Sequence, residues 1–147
     1  MPRRTLFTIG FTKKNAETFF TKLNKAEVKR IIDIRLNNVS QLSGFAKRDD
    51  LIYFLKQLCN CEYEHVPLMA PTREILDDYK KKKINWSEYE ISFRKLISNR
   101  KIENLITSEN LNKGCLLCSE PTPEKCHRRL VAEYLKEKFG DIETIHL

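Results

Sequence analysis

The segment Cys115–Arg129 concentrates side chains that can do chemistry. Its sequence, CLLCSEPTPEKCHRR, brings thiols, carboxylates, an imidazole and guanidinium groups close together in the chain. Pro121 and Pro123 predict a turn after the apolar run, and we expect a helix to begin close to Thr122, because proline is favoured in the first helical turn. The free N–H groups and the positive dipole end of this helix would favour bound anions and lower the pKa of a nearby thiol.

Three interpretations of this segment stay open. In the first, Cys118 or Cys126 is a thiolate nucleophile, and His127 is a base or an orienting group. The helix end and Arg128 then hold an anionic substrate. In the second, both cysteines and His127 bind a zinc ion near Glu120, although their spacing matches no standard zinc motif. In the third, the cysteines pack in the core, Glu120 pairs with an arginine, and the segment only caps the helix. The sequence favours the first, so we predict no metal ligands and identify no cofactor.

The five cysteines are an odd number, which argues against a disulfide framework and for reduced thiols in the cytosol. Cys115 and Cys118 have C-x-x-C spacing, but they lie in an apolar segment that resembles a strand. Side chains alternate along a strand, so these two sulfurs are expected on opposite faces, which excludes a thioredoxin-like redox pair. We predict that Cys59, Cys61 and Cys115 behave as small buried hydrophobic residues.

Composition limits the class of protein. A chain of 147 residues with 41% hydrophobic residues is long enough to build one core, so we predict a single domain over residues 1–147. It has no apolar run near the ~20 residues of a membrane helix and no signal peptide, which predicts a cytoplasmic protein without a membrane partner. The net charge of +7 favours anionic partners such as phosphate, nucleotides or nucleic acid. The run Lys80–Lys83 spreads around a helix, which is more typical of a solvated helix end than of a binding patch.

Strand-like and helix-like segments alternate along the chain. β-branched and aromatic residues predict strands in the segments TLFTIGF, VKRIIDIR, YEHVPL, CLLCSE and IETIHL. A short helix is predicted in IENLITSEN and a longer one in PEKCHRRLVAEYLKEKFG. Other helices are predicted to follow the candidate caps Asn15, Asp49 or Asp50, Thr72 and Asn85. The aromatic stripe that includes Trp86 and Tyr89 is assigned to the core. The alternation predicts one Rossmann-like α/β domain, with a mostly parallel sheet covered by helices on both faces.

Polar residues stand at the carboxyl ends of the predicted strands, where ligands bind in sheets of this kind. We therefore expect them to gather at one rim: Gly10, Asp33, Arg35, His65, Cys118 and Glu120. Arg35 has the planar fork that suits phosphate or carboxylate, and Arg128 would share the anion. Asp33 and Glu120 would be acid, base or orienting groups. Asp33 and Arg35 share a strand face, however, and a structural ion pair between them is the alternative. His65 is either a ligand contact or a structural residue.

The order of motifs resembles the family catalogued as domain of unknown function 488, over nearly the whole chain. The matching pieces are TIG (8–10), DIR (33–35) with Ser40 just after, YEHVP (63–67) and CSEPTPEKCHR (118–128). The resemblance implies an α/β fold and leaves the activity undefined. The chain departs from the family pattern in three places: Phe11 replaces a usual histidine, Asn38 a common proline, and Met69-Ala70-Pro71 a glycine-rich segment.

Together these observations predict a cytosolic α/β protein, an enzyme or a ligand-binding domain, whose rim pocket acts on an anionic, nucleotide- or nucleic-acid-related substrate. The alternative is a non-catalytic nucleic-acid-binding module. The predicted catalytic residues are Asp33, Cys118, Glu120, Cys126 and His127. The predicted substrate-binding residues are Gly10, Arg35, Ser40, His65 and Arg128.

Overall fold

A computed structural model describes residues 3–39, 44–120 and 122–147. Five parallel strands form one sheet in the order β3-β2-β4-β1-β5. The strands are β1 (Arg4–Gly10), β2 (Arg30–Asp33), β3 (Glu62–His65), β4 (Gly114–Cys118) and β5 (Ile142–His146). The predicted α/β class is therefore confirmed. In the common dinucleotide-binding sheet the order is 3-2-1-4-5-6, whereas here β4 lies between β2 and β1, so the agreement is at the level of a parallel α/β domain.

Six α-helices connect and follow the strands in the described part of the chain. They are α1 (Ala16–Lys25), α2 (Arg48–Phe54), α3 (Arg73–Lys80), α4 (Trp86–Arg100), α5 (Ser108–Leu111) and α6 (His127–Phe139). Shorter helical turns are Gly44–Ala46, Leu55–Cys59, Pro67–Met69 and Ile102–Asn104. No helix in residues 3–39, 44–120 and 122–147 has both the length and the apolar character needed to cross a membrane.

Three helix starts follow the predicted caps. Asn15 and Thr72 each accept a hydrogen bond from a backbone N–H of the first turn of their helix, and Asn85 forms a capping box with Glu88. These caps satisfy N–H groups that have no partner within the helix. The second helix begins at Arg48, slightly before the expected Asp49 or Asp50.

The predicted start of α6 is wrong. We expected it close to Thr122, but the helix begins at His127, and Cys126 is the residue before it, with an extended backbone. Thr122 precedes Pro123, and the residue before a proline is sterically disfavoured in the helical conformation. A turn therefore occupies the first part of the segment, with the N–H of Cys126 donated to the Pro123 carbonyl. As a result, the thiol and the imidazole lie at the tip of α6.

The sheet separates two hydrophobic cores, because side chains alternate between its faces. One core, under α4 and α6, includes Leu6, Ile32, Phe93, Cys118, Cys126 and Leu130. The other, under α1 and α2, includes Ile9, Phe19, Ile31, Leu51, Cys115 and Leu117. Cys115 and Cys118 thus lie on opposite faces, as predicted. Cys61 and Cys115 are buried free thiols, and Cys59 is partly buried.

The chain that follows β4 crosses to one face of the sheet, whereas the chains that follow its neighbours β1 and β2 cross to the other face. The helices that follow β1 and β2 pack into one core, and α6, which follows β4, packs into the other. Gly10 and Cys118, the last residues of β1 and β4, are partners in the sheet register. Ligands of open parallel sheets bind outside the carboxyl ends of strands at such a divergence, which directs attention to the loops after these strands.

Candidate functional site

A cavity of about 570 Å³ lies at the carboxyl end of β4. The predicted site residues that line it are Arg35, Cys118, Glu120, Cys126 and His127. Asp33, Gly10, His65 and Arg128 are not lining residues, and the predicted Ser40 lies outside the described residues. A second cavity of about 340 Å³, between α1 and α2, is mainly apolar and contains none of the predicted site residues. Five of the predicted site residues therefore gather at the larger cavity.

Asp33 and Arg35 form a buried ion pair. Arg35 donates from Nε to Oδ1 of Asp33 at 2.8 Å and from Nη2 to Oδ2 at 2.7 Å. The Asp33 side chain is fully buried, and that of Arg35 is 3% exposed. The remaining nitrogen, Nη1 of Arg35, is buried and has no hydrogen-bond partner among residues 3–39, 44–120 and 122–147. A buried donor without a partner is unusual in proteins and calls for an explanation.

A ring of neighbours holds this ion pair in place. The hydroxyl of Tyr63 donates to Oδ2 of Asp33, and Asn38 donates to the Tyr63 oxygen at 3.1 Å. Burial, followed by the Asp33 carboxylate, raises the pKa of Tyr63, so its hydroxyl stays a donor at neutral pH. Nε2 of His65 lies 2.8 Å from the carbonyl oxygen of Arg35. His65 therefore positions Arg35, and its predicted contact with a substrate stays a prediction.

Two thiols and an imidazole converge beside Arg35. Cys118 ends β4, Cys126 precedes α6, and His127 is the first residue of α6. The two sulfurs and one ring nitrogen of His127 all lie within 4.8 Å of one another. Both cysteines are almost completely buried, at 1% and 2% exposure. The two thiols and the imidazole thus meet at the lining of the cavity.

The protonation of His127 is fixed by its surroundings. Its Nε2 lies 2.8 Å from the carbonyl oxygen of Ile34, an acceptor, so Nε2 carries the proton and donates it. Burial lowers the pKa of His127 to about 4, so the ring is neutral at physiological pH. The other ring nitrogen, Nδ1, then holds a free lone pair. Such an imidazole can accept a proton or bind a metal ion.

The sequence predicts reduced thiols and no disulfide framework, but the structure brings Cys118 and Cys126 together. Their sulfur atoms are in direct contact, as in a disulfide pair. Their Cα atoms, however, are 7.8 Å apart, whereas disulfide-bonded cysteines have Cα atoms ~4.4–6.8 Å apart. This Cα separation suits two sulfurs that contact the same bound atom better than it suits a covalent bridge between them. We therefore treat them as a pair of adjacent thiols.

Arg128 is buried behind the cavity wall. It is 1% exposed and donates from Nε to the hydroxyl of Thr8 at 3.2 Å. Its Nη1 donates to the carbonyl oxygen of Glu120 and to Sγ of Cys118 at 3.4 Å. The guanidinium group therefore fixes the loop after β4 and contacts the sulfur of Cys118. Its predicted contact with a substrate stays a prediction, because these donors already have protein partners.

Gly10 makes room for this arrangement. A Cβ atom at Gly10 would lie 1.6 Å from the carbonyl oxygen of Glu120 and 2.5 Å from Nη1 of Arg128. Only glycine therefore allows β1 to approach the loop that follows β4. On the other side of Arg128, Thr8 also bonds Nδ1 of His146 at 2.6 Å. The sequence places His146 on a strand but gives no sign of this connection to the site.

Aromatic side chains form part of the lining of the cavity, the aromatic wall. Tyr79, Trp86 and Tyr89 all line it. The Trp86 and Tyr89 rings are stacked, with centroids 4.9 Å apart and an interplanar angle of 18°. The assignment of this stripe to the core is correct for Tyr89, which is 3% exposed, but it missed the cavity. The signal that could have found it is the pair of aromatic residues, Tyr79 and Trp86, on either side of the turn between α3 and α4.

The charged residues around the cavity favour anions. Four cationic side chains line it: Arg35, Arg73, Lys80 and Lys125. Two carboxylates, those of Asp77 and Glu120, also line it, and neither is the partner of Arg35. Lys80, from the run predicted to be a solvated helix end, thus borders the cavity. A cleft lined with an excess of one sign of charge raises the local concentration of the opposite ion.

The comparisons with known proteins give one finding. The family model described as domain of unknown function DUF488 matches residues 15–135, which include the cavity residues from Arg35 to His127. No curated protein and no solved structure matches the chain. The resemblance based on motifs is therefore confirmed at the level of the family.

Proposed function

The chain belongs to the DUF488 family, and on that premise we propose that its cavity binds a small anionic, nucleotide-like ligand beside the thiol–imidazole cluster. The observation that carries the proposal is the unpartnered Nη1 of Arg35, a buried donor on a residue that lines the cavity. Leaving a charged donor unsatisfied costs more than a neutral one. An anionic oxygen in the cavity would supply the missing partner.

The ion pair with Asp33 supports this role for Arg35. Two parallel hydrogen bonds to the carboxylate fix the plane of the guanidinium before any ligand arrives. A group that is already oriented loses less entropy on binding. The predicted role of Asp33 as an acid or base changes accordingly, because its oxygens already accept from Arg35 and Tyr63. We propose that Asp33 positions Arg35.

The shape and the aromatic wall favour a ligand that combines an anion with a planar ring. The cavity volume of about 570 Å³ falls within the ~300–1,000 Å³ of typical small-ligand sites. Base–aromatic stacking contributes ~1–3 kcal/mol per base, and Trp86, which is partly exposed, presents a ring at this wall. Free phosphate would use only Arg35 and the surrounding lysines.

The cluster of Cys118, Cys126 and His127 provides groups for a chemical step. The thiol of Cys118 or Cys126 is the candidate nucleophile, and neutral His127 has a free lone pair. Glu120 lines the same cavity and is the candidate acid. Reduced thiols persist in a reducing compartment, so the proposal includes a cytoplasmic location.

Calorimetric titration of the protein with a nucleoside monophosphate and with inorganic phosphate tests the proposal. The Arg35→Lys variant keeps a cation beside Asp33 but lacks Nη1, so its affinity should fall about tenfold or more, as expected for one charge-assisted hydrogen bond of ~1.5 kcal/mol. Arg30→Lys, at the opposite end of β2, is the matched control and should bind like the wild type. Circular dichroism checks that both variants fold.

Two results would overturn the proposal. The first is absence of binding at millimolar ligand, and the second is equal affinity of the wild type and Arg35→Lys. Tight binding of DNA or RNA that weakens steeply with salt, unchanged in Arg35→Lys, would support the non-catalytic nucleic-acid-binding module instead.

A further inference from the structure

We propose that Cys118, Cys126 and His127 bind a zinc ion whose fourth coordination position opens into the cavity. This metal site goes beyond the proposed ligand binding and does not depend on it. Three groups of the types that zinc prefers, two thiols and one imidazole nitrogen, lie within 4.8 Å of one another. All three residues line the cavity.

The spacing of the three groups suits one zinc ion. Zinc binds sulfur at ~2.3 Å and nitrogen at ~2.0–2.1 Å in a tetrahedron, so two sulfur ligands lie about 3.8 Å apart. The sulfurs of Cys118 and Cys126 are in contact in the structure, and binding of the ion requires them to move apart to this distance. Their Cα separation of 7.8 Å accommodates that wider spacing, whereas a covalent bridge would need the Cα atoms closer together.

The hydrogen bonds around the cluster are those expected around metal ligands. A metal-binding histidine donates its other N–H to a carbonyl or a carboxylate, which fixes the ring and its tautomer. His127 makes this contact through Nε2 to the Ile34 carbonyl, at 2.8 Å. Cys118 accepts a hydrogen bond from the buried Arg128 at 3.4 Å. This donor would stabilise the negative charge of a zinc-bound thiolate.

The fourth position distinguishes this site from a structural one. Structural zinc sites have four protein ligands, whereas three ligands and an open position are the arrangement of catalytic zinc. The cluster found among the described residues contains three ligand groups, and Glu120 lines the same cavity without belonging to the cluster. A zinc ion here would offer a Lewis acid and an activated water to a molecule in the cavity.

Metal analysis of protein purified under reducing conditions, without a histidine tag, tests the site. After addition of zinc and removal of the excess, mass spectrometry should find about one zinc ion per chain. Competition with a chromogenic chelator should show at least a tenfold loss of zinc affinity in Cys118→Ser, Cys126→Ser and His127→Gln. Cys115→Ser, a buried cysteine of the same strand on the opposite face, is the matched control and should bind zinc normally.

A second measurement needs no variant and therefore does not depend on whether the variants fold. Cobalt added to the wild-type protein should give the intense absorption of cobalt–thiolate bonds. Zinc content below a tenth of an ion per chain with no such absorption would overturn the proposal, and so would unchanged zinc binding by the three variants. Three titratable thiols in the denatured protein, instead of the five that the sequence contains, would identify a disulfide and also overturn it.

The outcome can be separated from that of the proposed ligand binding. Zinc is measured here without any nucleotide or phosphate, and Arg35→Lys should retain the metal. Absence of anion binding by a protein that binds zinc would contradict only the proposed function. Absence of zinc with normal anion binding would contradict only the metal site.

Discussion

The carboxylate of Asp33 accepts two hydrogen bonds from Arg35, from Nε at 2.8 Å and from Nη2 at 2.7 Å. Both side chains are buried, at 0% and 3% exposure. The pair occupies two of the three guanidinium nitrogens and leaves Nη1 without a partner in the described part of the chain. The position of the unused donor at the cavity wall is therefore set by a residue that does not line the cavity.

Removal of the Asp33 charge should destabilise the fold strongly. Asp33→Asn leaves the buried guanidinium without its counter-charge, and breaking a buried pair in this way costs about 3–5 kcal/mol of unfolding free energy. Glu62→Gln is the control, because Glu62 pairs with Arg30 in the same sheet but is 70% exposed, and its loss should cost under ~1 kcal/mol. Urea unfolding measures both values. Similar losses in the two variants would show that the Asp33–Arg35 pair carries no special energetic role.

Much of the fold follows from local sequence. The segment around Leu116 is a continuous apolar run, which is typical of a strand buried on both faces, and it forms a central strand. The caps Asn15, Thr72 and Asn85 are correct because a cap depends on only a few neighbouring residues. The convergence of Arg35 with Cys118 was also expected, since parallel strands end at the same edge.

What could not be predicted depends on strand order and on packing at a distance. The insertion of β4 between β1 and β2 brings Arg128 against Thr8, and this contact spans 120 residues of sequence. The aromatic wall was missed because periodicity shows that Trp86 shares a helical face with core residues, but not that the face ends at a cavity. The sequence does not locate the start of α6, because proline is favoured in a first helical turn, whereas Thr122 and Pro123 lie before the helix, which begins at His127.

The stability of the protein should be sensitive to the addition of a single methyl group at Gly10. In Gly10→Ala the added methyl would overlap the Glu120 carbonyl, at 1.6 Å, and the Arg128 guanidinium. Overpacking of this kind costs ~1–3 kcal/mol or more, and the loop that bears Glu120 should move. Gly44→Ala is the control, since a Cβ there meets nothing within 4 Å and should change stability by no more than ~0.5 kcal/mol. Thermal unfolding compares the two, and equal stability would contradict the close approach of β1 to the loop.

The aromatic wall should distinguish nucleotides from phosphate. Trp86→Leu removes the stacked indole, so binding of a nucleoside monophosphate should weaken by about 1–3 kcal/mol, whereas binding of inorganic phosphate should not change. Tyr53→Leu removes an aromatic side chain that is 60% exposed and outside the cavity, and it should affect neither ligand. Calorimetry with both ligands provides the comparison. An equal loss for phosphate and nucleotide would show that Trp86 shapes the cavity and does not stack on a base.

Stability should depend on pH through the contact between α4 and α6. Glu133 accepts hydrogen bonds from Arg129, at 2.8 Å, and from Arg94, and both arginines also pair with Glu90. Burial alone would raise the pKa of Glu133, but these arginine hydrogen bonds outweigh it and lower the pKa. A carboxyl whose pKa is lower in the folded state stabilises the fold above its unfolded pKa, ~4.3 for glutamate. That stability is lost as the pH falls through the folded value.

The comparison of wild type with Glu133→Gln over a pH series tests this linkage. At pH 7 the wild type should be more stable by up to ~1 kcal/mol, because the network is partly exposed to solvent. The difference should shrink as the pH falls below ~4.3, the value for unfolded glutamate, and continue to shrink as the folded carboxyl becomes protonated at lower pH. Glu143→Gln, at an exposed position on β5, is the control and should track the wild type closely. A difference between wild type and Glu133→Gln that stays constant from pH 7 into the acid range would show that Glu133 stabilises the helix pair by packing and not by its charge.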